Sequence, residues 1–335
     1  MSHGRFDNPI VAALAGFWDL FRKQDLSDKL TDDDRFDGKT LLVTGANSGL
    51  GFAIAVEAAR RGAHVIMAGR SKIPEAGDKV KKLSGSGKVE MRYLDLSKLD
   101  TIHQFAEGLE RDHIKLDVTI LNAGVALAKA RKTDSGLEEM FLVNYLSNVA
   151  LTNLLLDKGI VDTEKTNSCK PRILFISSDS HQGSSAVDYD EFGTFYEYGP
   201  SKGISDYSYF KLLLNTYATE LSRRVNGQEI KAGINVMCPG PVHSNIVKEA
   251  PFLIRIVLKG IFKIIFRSPE KACLPVIYMS VSKDYEGVTN QYQHMFNVKD
   301  MDPKVYDPDE GKKLWDRSIN LWKEVDPAAI QVNGL

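Results

Sequence analysis

Short apolar runs alternate with helical segments along the middle of the chain. Runs rich in Val, Ile and Leu predict six strands, at 40–44, 64–68, 89–94, 118–122, 172–177 and 234–238. Continuously apolar strands are typical of a parallel sheet that is buried on both faces. Six strand–helix units therefore predict an α/β fold, with a single Rossmann-like, doubly wound parallel sheet and helices on both faces.

No break in this rhythm is visible between residues 38 and 300, so we predict one dinucleotide-binding and catalytic domain over 38–300. Residues 1–37 would form an N-terminal helix and a polar connector. Residues 301–335 would form a polar tail with a helix. Two longer segments interrupt the pattern: 179–206, which we expect to be a loop, and 240–270.

Composition narrows the class of protein. Of the 335 residues, 43 % are hydrophobic and 26 % charged, which suits a globular chain with a sizeable core. The 43 Lys and Arg against 44 Asp and Glu give a net charge of −1, so no nucleic-acid partner is expected. Three scattered cysteines without a CxxC pair predict no disulfide framework and no metal site: Cys169, Cys238 and Cys273.

Two apolar segments bear on membranes and localisation. No run of 18 apolar residues occurs, so no transmembrane helix is expected. Residues 10–21 lack the marks of a cleaved signal peptide, so we expect a packed helix or an interfacial anchor and no secretion. In 251–267, basic residues recur every four positions among apolar ones, as in an interfacial helix or a lid helix over a pocket. Both alternatives favour a lipophilic substrate. We expect the protein itself in the cytoplasm or at the periphery of an intracellular membrane.

A glycine-rich turn follows the first predicted strand. The sequence from Gly45 to Gly51 reads GANSGLG, and a helical segment comes directly after it. Glycines let the backbone turn tightly, and they let a pyrophosphate approach main-chain N–H groups at a helix N-terminus. The position between a strand and a helix predicts a dinucleotide site, with a structural turn as the alternative.

The ends of the next two strands bear on the cofactor. NAD-binding folds often place an acidic residue after the second strand to bind the ribose 2′-hydroxyl. Here Gly69 and Arg70 stand at that point. A positive side chain suits a 2′-phosphate and favours NADP(H) over NAD(H), unless Arg70 is only a solvated loop charge. Asp95, after the third strand, would bind the adenine amino group or cap a helix.

The chain contains two Tyr-x-x-x-Lys patterns, Tyr198 with Lys202 and Tyr207 with Lys211. Residues four apart share one face of a helix. An ammonium beside a phenol would lower the pKa of the Tyr and make it a general acid–base for a carbonyl or an alcohol. The first pattern contains Gly and Pro, which suit a helix start, whereas 205–224 has a sustained helical pattern. We therefore favour Tyr207 and Lys211, with the first pair as the alternative.

Other polar residues close strands or lie within helices. Ser177 and Ser178 follow the fifth strand, at the edge where parallel sheets bind ligands, and a substrate contact or a local turn would explain them. Residues 122–124 read Asn-Ala-Gly and close the fourth strand. Asn144 lies within a helical segment, where Asn is unfavourable, which indicates a buried hydrogen-bonding role.

Together these motifs resemble the short-chain dehydrogenase/reductase family over about 36–325. TGANSGLG, LNAG, Asn144, Ser177-Ser178, YxxxK and PGPV at 239–242 occur in the family's order. Within the family, AGRS and YDPDEGKKLWDRS resemble the retinol dehydrogenase and WW-domain oxidoreductase group. The segment ELSRR lies at the expected distance after Tyr207, which further favours the second Tyr-x-x-x-Lys pattern.

The resemblance implies a catalytic tetrad. Tyr207 would move the proton, and Lys211 would lower its pKa and hold the nicotinamide ribose. Ser178, or else Ser177, would orient the carbonyl, and Asn144 would hold a water. The implied cofactor-binding residues, with Tyr207 and Lys211, are Gly45, Asn47, Ser48, Gly49, Leu50, Gly51, Arg70, Asp95, Leu96, Asn122, Ala123, Gly124, Pro239, Gly240, Val242 and Ser244.

The resemblance also implies an activity. We expect a homo-oligomeric, NADP(H)-dependent oxidoreductase that interconverts a carbonyl and an alcohol on a lipophilic molecule, such as a retinoid, a steroid or a long-chain aldehyde. One alternative is a related reductase of C=C bonds. The other is a cofactor-binding regulatory or scaffold protein with little turnover.

Overall fold

A computed structural model describes residues 29–164, 170–242 and 267–330. An eight-stranded sheet runs through them, and its strands are Thr40–Thr44 (β1), His64–Gly69 (β2), Val89–Tyr93 (β3), Val118–Leu121 (β4), Arg172–Ile176 (β5), Gly233–Cys238 (β6), Tyr292–His294 (β7) and Asn297–Val298 (β8). The strand order is β3-β2-β1-β4-β5-β6-β7-β8, parallel throughout except between β7 and β8. The order reverses between β1 and β4, and such a reversal opens a crevice at the carboxyl ends of the strands.

Helices connect the strands. Their bounds are Gly49–Arg60 (α1), Glu75–Ser84 (α2), Leu99–Arg111 (α3), Glu139–Phe141 (α4), Ser147–Asp157 (α5), Pro200–Asn226 (α6), Pro269–Ala272 (α7), Leu274–Val281 (α8) and Pro308–Val325 (α9). A π-helical turn, Leu142–Leu146, joins α4 to α5, and 3₁₀ turns span Asp179–Gly183, Lys283–Tyr285 and Pro303–Tyr306.

Two apolar clusters cover the sheet, one on each face. Successive side chains of a strand point to opposite faces, so Leu42 belongs to one cluster and Leu41 and Val43 to the other. Helices α3, α5, α6 and α9 contribute to the first cluster, and α1 and α8 contribute to the second. In the first, Trp315 of α9 stacks on Tyr217 of α6 at 5.3 Å between ring centroids. The predicted parallel α/β sheet is confirmed.

The differences from the predicted elements are local. Helix α6 is longer than the predicted 205–224 and begins at Pro200, with Gly199 as its N-cap, so it includes the end of the predicted loop 179–206. Strands β7 and β8 have no predicted counterpart, because Tyr-Gln-His and Asn-Val carry no apolar run. The division of the chain at residues 37 and 300 stays a prediction.

Some predicted features lie outside the described residues. These are the apolar stretch 10–21, residues 251–266 of the basic apolar segment, and Ser244. None of the helices within 29–164, 170–242 and 267–330 has both the length and the hydropathy needed to cross a membrane.

Candidate active site

The glycine turn after β1 packs tightly against the residues that follow β4. Gly45 has a φ of +67°, and a Cβ there would lie 3.0 Å from the Cα of Ala123. A Cβ on Gly51 would lie 2.6 Å from both the carbonyl oxygen of Gly45 and the Nδ2 of Asn122. Both positions therefore require glycine, because a Cβ at either would be too close to its neighbours. Gly45 requires it also for its positive φ.

Hydrogen bonds between β1 and β4 hold this turn. The buried Oγ1 of Thr44 accepts from the N–H groups of Asn122 and Ala123, each at 3.0 Å. The Nδ2 of Asn122 donates to the carbonyl of Thr44 at 2.9 Å. Asn122 and Ala123 thus shape the glycine turn. Thr44 is absent from the predicted site residues, and the only signal for it is its place directly before Gly45.

Helix α1 begins within this turn, at Gly49. Its N-cap, Ser48, makes no side-chain capping bond, and its first turn carries no acidic residue. The N–H groups of a first helical turn have no partners within the helix, and they favour an anion. Glycines where a Cβ would clash, together with this uncapped helix end, fit the pyrophosphate of a nicotinamide dinucleotide.

Arg70 lies at the carboxyl end of β2, beside acidic side chains. Its side chain is 51 % exposed. Its Nη1 lies 3.9 Å from an oxygen of Asp95 and 3.8 Å from one of Glu139. Arg70 is therefore neither a freely solvated charge nor tightly paired.

The turn after β3 holds the two other predicted adenosine-side residues. The Oδ1 of Asp95 accepts from the N–H and the hydroxyl of Ser97, at 3.0 and 2.7 Å. Asp95 thus shapes the turn ahead of α3, whose N-cap is Lys98. Leu96 is buried, and its carbonyl accepts from the Ser147 hydroxyl at 2.6 Å. Asn47, in the glycine turn, makes a separate bond: its Nδ2 donates to the Oγ of Ser71 at 2.8 Å.

Tyr207 and Lys211 lie one turn apart on α6. Lys211 is 3 % exposed, and its Nζ donates to the carbonyl of Ile176, the last residue of β5, at 2.8 Å. The same Nζ lies 5.7 Å from the centroid of the Tyr207 ring. A phenol held beside an ammonium at the carboxyl edge of the sheet can exchange a proton with a bound oxygen.

Burial governs the proton affinities of this pair. It lowers the pKa of Lys211 to about 8 and raises the pKa of Tyr207. The direction for Tyr207 is opposite to the expected lowering of its pKa, because burial disfavours the charged phenolate and nearby Cys238 raises the pKa further.

Asn144 lies in the π-helical turn between α4 and α5, fully buried. Its Oδ1 accepts from the N–H of Val125 at 2.7 Å, and its Nδ2 donates to the carbonyl of Val125 at 2.8 Å. A Cβ on Gly124 would lie 3.2 Å from the Oδ1 of Asn144 and 3.8 Å from the Nζ of Lys211. The structure thus brings Asn144, Gly124 and Lys211 together. π-helical turns are frequent at functional sites.

Ser177 and Ser178 follow β5 but differ in their contacts. Ser177 is buried, and its Oγ has no hydrogen-bond partner within the described residues. Ser178 is partly exposed, and its Oγ accepts from the N–H and the hydroxyl of Ser180, at 3.3 and 3.0 Å. Ser178 is therefore the N-cap of the following 3₁₀ turn, and its hydroxyl is the more accessible of the two.

The predicted nicotinamide-side segment follows β6. Pro239 is buried. Gly240 has a φ of +77°, and a Cβ there would lie 3.1 Å from the side chain of Met295. Val242 pairs with Arg267 in an isolated bridge. Among the described residues, no group of three or more His, Cys, Asp or Glu side chains could hold a metal ion.

The first Tyr-x-x-x-Lys pattern has different surroundings. Tyr198 precedes α6, and its hydroxyl donates to an oxygen of buried Glu138 at 2.7 Å. Lys202 binds Asp206, one turn further along the same helix. Each member of this pattern therefore binds a carboxylate, and neither binds the other.

Known proteins are similar to this chain in sequence. A family model for short chain dehydrogenases matches residues 39–189. Retinol dehydrogenase 14 from Homo sapiens is 33 % identical over 298 residues, which cover 84 % of this chain and 85 % of that protein. Polyprenol dehydrogenase from Homo sapiens is 31 % identical over 292 residues, which cover 86 % of each.

Solved structures are similar over most of the chain as well. An uncharacterised protein from Mycobacterium paratuberculosis is 26 % identical, with a TM-score of 0.67, over 88 % of this chain and 98 % of that one. The RhlG/NADP active-site complex from Pseudomonas aeruginosa is 21 % identical, with a TM-score of 0.61, over 79 % of this chain and 98 % of that one. The second likeness concerns the fold alone.

Proposed function

We propose, on the premise that the chain belongs to the short-chain dehydrogenase family, that it uses NADP(H) on a lipophilic carbonyl or alcohol, with Tyr207 as the general acid–base. Membership makes the chain an oxidoreductase for carbonyls and alcohols, with a nicotinamide cofactor and a small-molecule substrate. One observation supports Tyr207 as the general acid–base. Buried Lys211 donates a hydrogen bond to the end of β5, and this bond holds its ammonium beside the Tyr207 ring.

The proposed chemistry divides between the cofactor and three side chains. A bound nicotinamide dinucleotide supplies or accepts the hydride. In reduction, the Tyr207 hydroxyl gives its proton to the substrate oxygen, and in oxidation it takes the proton back. The Ser178 hydroxyl donates a hydrogen bond to the same oxygen. The Lys211 ammonium, whose pKa is about 8, stabilises the phenolate left behind.

Asn144 has two roles in this proposal, one structural and one in holding a water. Its side chain bonds to both main-chain groups of Val125, and one amide N–H and one oxygen lone pair remain for a water. A water that relays protons to Lys211 can therefore bind to Asn144. The side chain of Asn144 keeps the loop after β4 against the π-helical turn.

Arg70 supports the preference for NADP(H). Its ion pairs are long, so its guanidinium can turn towards a 2′-phosphate. We expect Arg70→Asp to weaken NADPH binding about 100-fold, and NADH binding only a few-fold, because charge-assisted contacts to phosphate are strong. The measurement is fluorescence titration with each cofactor.

Arg131→Gln is the matched control, since Arg131 pairs with the same Glu139, at 2.8 Å. It should change neither affinity by more than about two-fold, because the Arg131 side chain is 47 % exposed and partly exposed ion pairs contribute little. Equal losses for NADPH and NADH in Arg70→Asp would contradict the 2′-phosphate assignment.

The lipophilic substrate is supported by the relatives. Retinol dehydrogenase 14 and polyprenol dehydrogenase are named for alcohols with long apolar chains. The apolar segment 251–267 suits a cover for such a molecule.

The direct test of the function is NADPH oxidation followed at 340 nm. The substrate panel contains retinal, steroid ketones, long-chain aldehydes and small polar ketones, and NADH is run in parallel. We expect turnover on the lipophilic members with NADPH. Turnover only on polar ketones would overturn the substrate class. Bound NADPH without turnover on any of them would favour a C=C reductase or a regulatory protein.

Peripheral membrane contact through 251–267 is a separate proposal. Replacing Arg255, Lys259, Lys263 and Arg267 by Gln should release the protein from anionic vesicles in a sedimentation assay. Failure of the unmodified protein to sediment with the vesicles would contradict it. The expected homo-oligomer is tested by light scattering.

A further inference from the structure

Three buried side chains connect the 3₁₀ turn after Ser178 to the C-terminal strands. Asp179, His181 and Gln182 all lie in this turn, and all are buried. Gln182 donates from its Nε2 to the carbonyl of Asp300 at 2.9 Å. The other two also bind within the segment 292–302, which contains β7 and β8.

Asp179 uses both of its carboxylate oxygens. Its Oδ1 accepts from the hydroxyl of Tyr292 at 2.9 Å, and its Oδ2 accepts from the Nζ of Lys299 at 2.7 Å. Burial alone would raise the pKa of Asp179, but His294 and Lys299 hold it below the usual value. Asp179 is thus a buried anion with partners on β7 and directly after β8.

The contacts of His181 specify its protonation. Its Nδ1 lies 2.8 Å from the carbonyl of Ser178, which can only accept, so Nδ1 carries the proton. Its Nε2 lies 3.3 Å from the N–H of Asp302, which can only donate, so Nε2 carries none. His181 is therefore a neutral imidazole of one tautomer that bridges Ser178 and Asp302. Burial lowers the pKa of His181, which agrees with the neutral form.

Ser178 is fixed from two sides by this arrangement. Its carbonyl is held by His181, and its Oγ caps the turn through Ser180. The direction of the Ser178 hydroxyl thus depends on the path of the turn, and the turn is held by bonds to a segment more than 100 residues further along the chain.

We propose that Asp179, His181 and Gln182 form a positioning brace for Ser178, through which the β7–β8 segment sets the direction of the Ser178 hydroxyl. The inference rests on the proposed role of Ser178 in binding the substrate oxygen. None of the three needs to touch the substrate, because a displacement of about 1 Å in a supporting group can lower a rate about 100-fold.

Kinetics of His181 variants test the brace. His181→Leu removes both bonds, and we expect kcat to fall about 10–100-fold while KM for NADPH stays within about two-fold. His181→Asn keeps a donor near the Nδ1 position and should recover most of the lost kcat. His103→Leu is the matched control: His103 bonds Asp326 at 2.7 Å, between α3 and the end of α9, so its loss should leave kcat unchanged.

The double variant Ser178→Ala/His181→Leu separates positioning from general stability. If His181 acts through Ser178, the double variant should be no slower than Ser178→Ala alone. Additive losses, or an equal loss in His103→Leu, would overturn the brace.

Two further outcomes distinguish the brace from the function on which it rests. Full activity of Ser178→Ala would refute the role of Ser178 itself. A large loss in Ser178→Ala with full activity of His181→Leu would refute the brace alone. If His181→Leu does not fold, Gln182→Leu serves in its place, with the same expected non-additivity.

Discussion

Tyr198 with Lys202 and Tyr207 with Lys211 have the same spacing but different surroundings. Tyr198 precedes α6, whereas Tyr207 and Lys211 both lie within it. The Lys202 side chain is 55 % exposed and binds Asp206, while Lys211 is buried and binds a main-chain carbonyl. A four-residue spacing therefore places two side chains on one helical face only when both belong to the helix.

The partners differ in charge as well as in position. Carboxylates surround the first pattern, and burial together with Glu138 raises the pKa of Tyr198. A carboxylate neutralises the charge of its lysine, whereas a carbonyl does not. Lys211 therefore keeps a net positive charge beside the Tyr207 ring, whereas Lys202, which lies over the Tyr196 ring, is paired with Asp206. The difference shows that the choice between the patterns depends on what the lysine binds.

The largest expected effect compares the two tyrosines. Tyr207→Phe should lower kcat by about 10²–10⁴-fold, because it removes the proposed general acid–base, and NADPH affinity should change little. Tyr198→Phe should change kcat by less than about three-fold, because that hydroxyl binds Glu138. Steady-state kinetics and cofactor titration measure both. The reverse result would assign the chemistry to Tyr198.

A smaller effect separates the lysines by the pH dependence of stability. The folded pKa of Lys211, about 8, lies below its unfolded value, so the unfolded state binds more protons between the two. Stability should therefore rise with pH in that window. From about pH 7.5 to about pH 9.5, wild type should gain about 2 kcal/mol of unfolding free energy relative to Lys211→Met.

Urea unfolding at the two pH values measures this difference. Lys202→Met is the matched control, and it should keep the pH slope of the wild type because Lys202 is exposed. An unchanged slope in Lys211→Met would contradict the burial of its charge.

The smallest effect concerns the structural role of the first pattern. Tyr198→Phe removes a donor from buried Glu138 and should cost about 1 kcal/mol of unfolding free energy at pH 7. Burial raises the pKa of Glu138, so protonation of the folded state becomes easier as the pH falls. The loss should therefore shrink between about pH 7 and about pH 5. A loss that grows towards low pH would contradict this role.

Local patterns explain what the sequence predicts well. The strands β1 to β6, the glycine turn and the helix that carries Tyr207 each follow from neighbouring residues, and their signals are periodicity and turn chemistry. The order of these motifs along the chain indicates the family, and the family in turn implies the candidate site residues.

Distant pairings explain what the sequence does not predict. Asp179 meets Tyr292 and Lys299 across separations of 113 and 120 residues, and no spacing rule connects them. The raised pKa of Tyr207 is likewise missed, because burial is a property of the folded molecule.

The packing of Gly45 and Gly51 against Asn122 and Ala123 limits how the cofactor loop can be transplanted. The segment TGANSGLG has the form of a self-contained motif, but part of its shape depends on Asn122 and Ala123, which follow β4 and lie 78 and 79 residues after Thr44. A chimaera that moves the loop alone into another parallel sheet would lack the Asn122 amide. A transplant of the loop must therefore also carry the residues that follow β4.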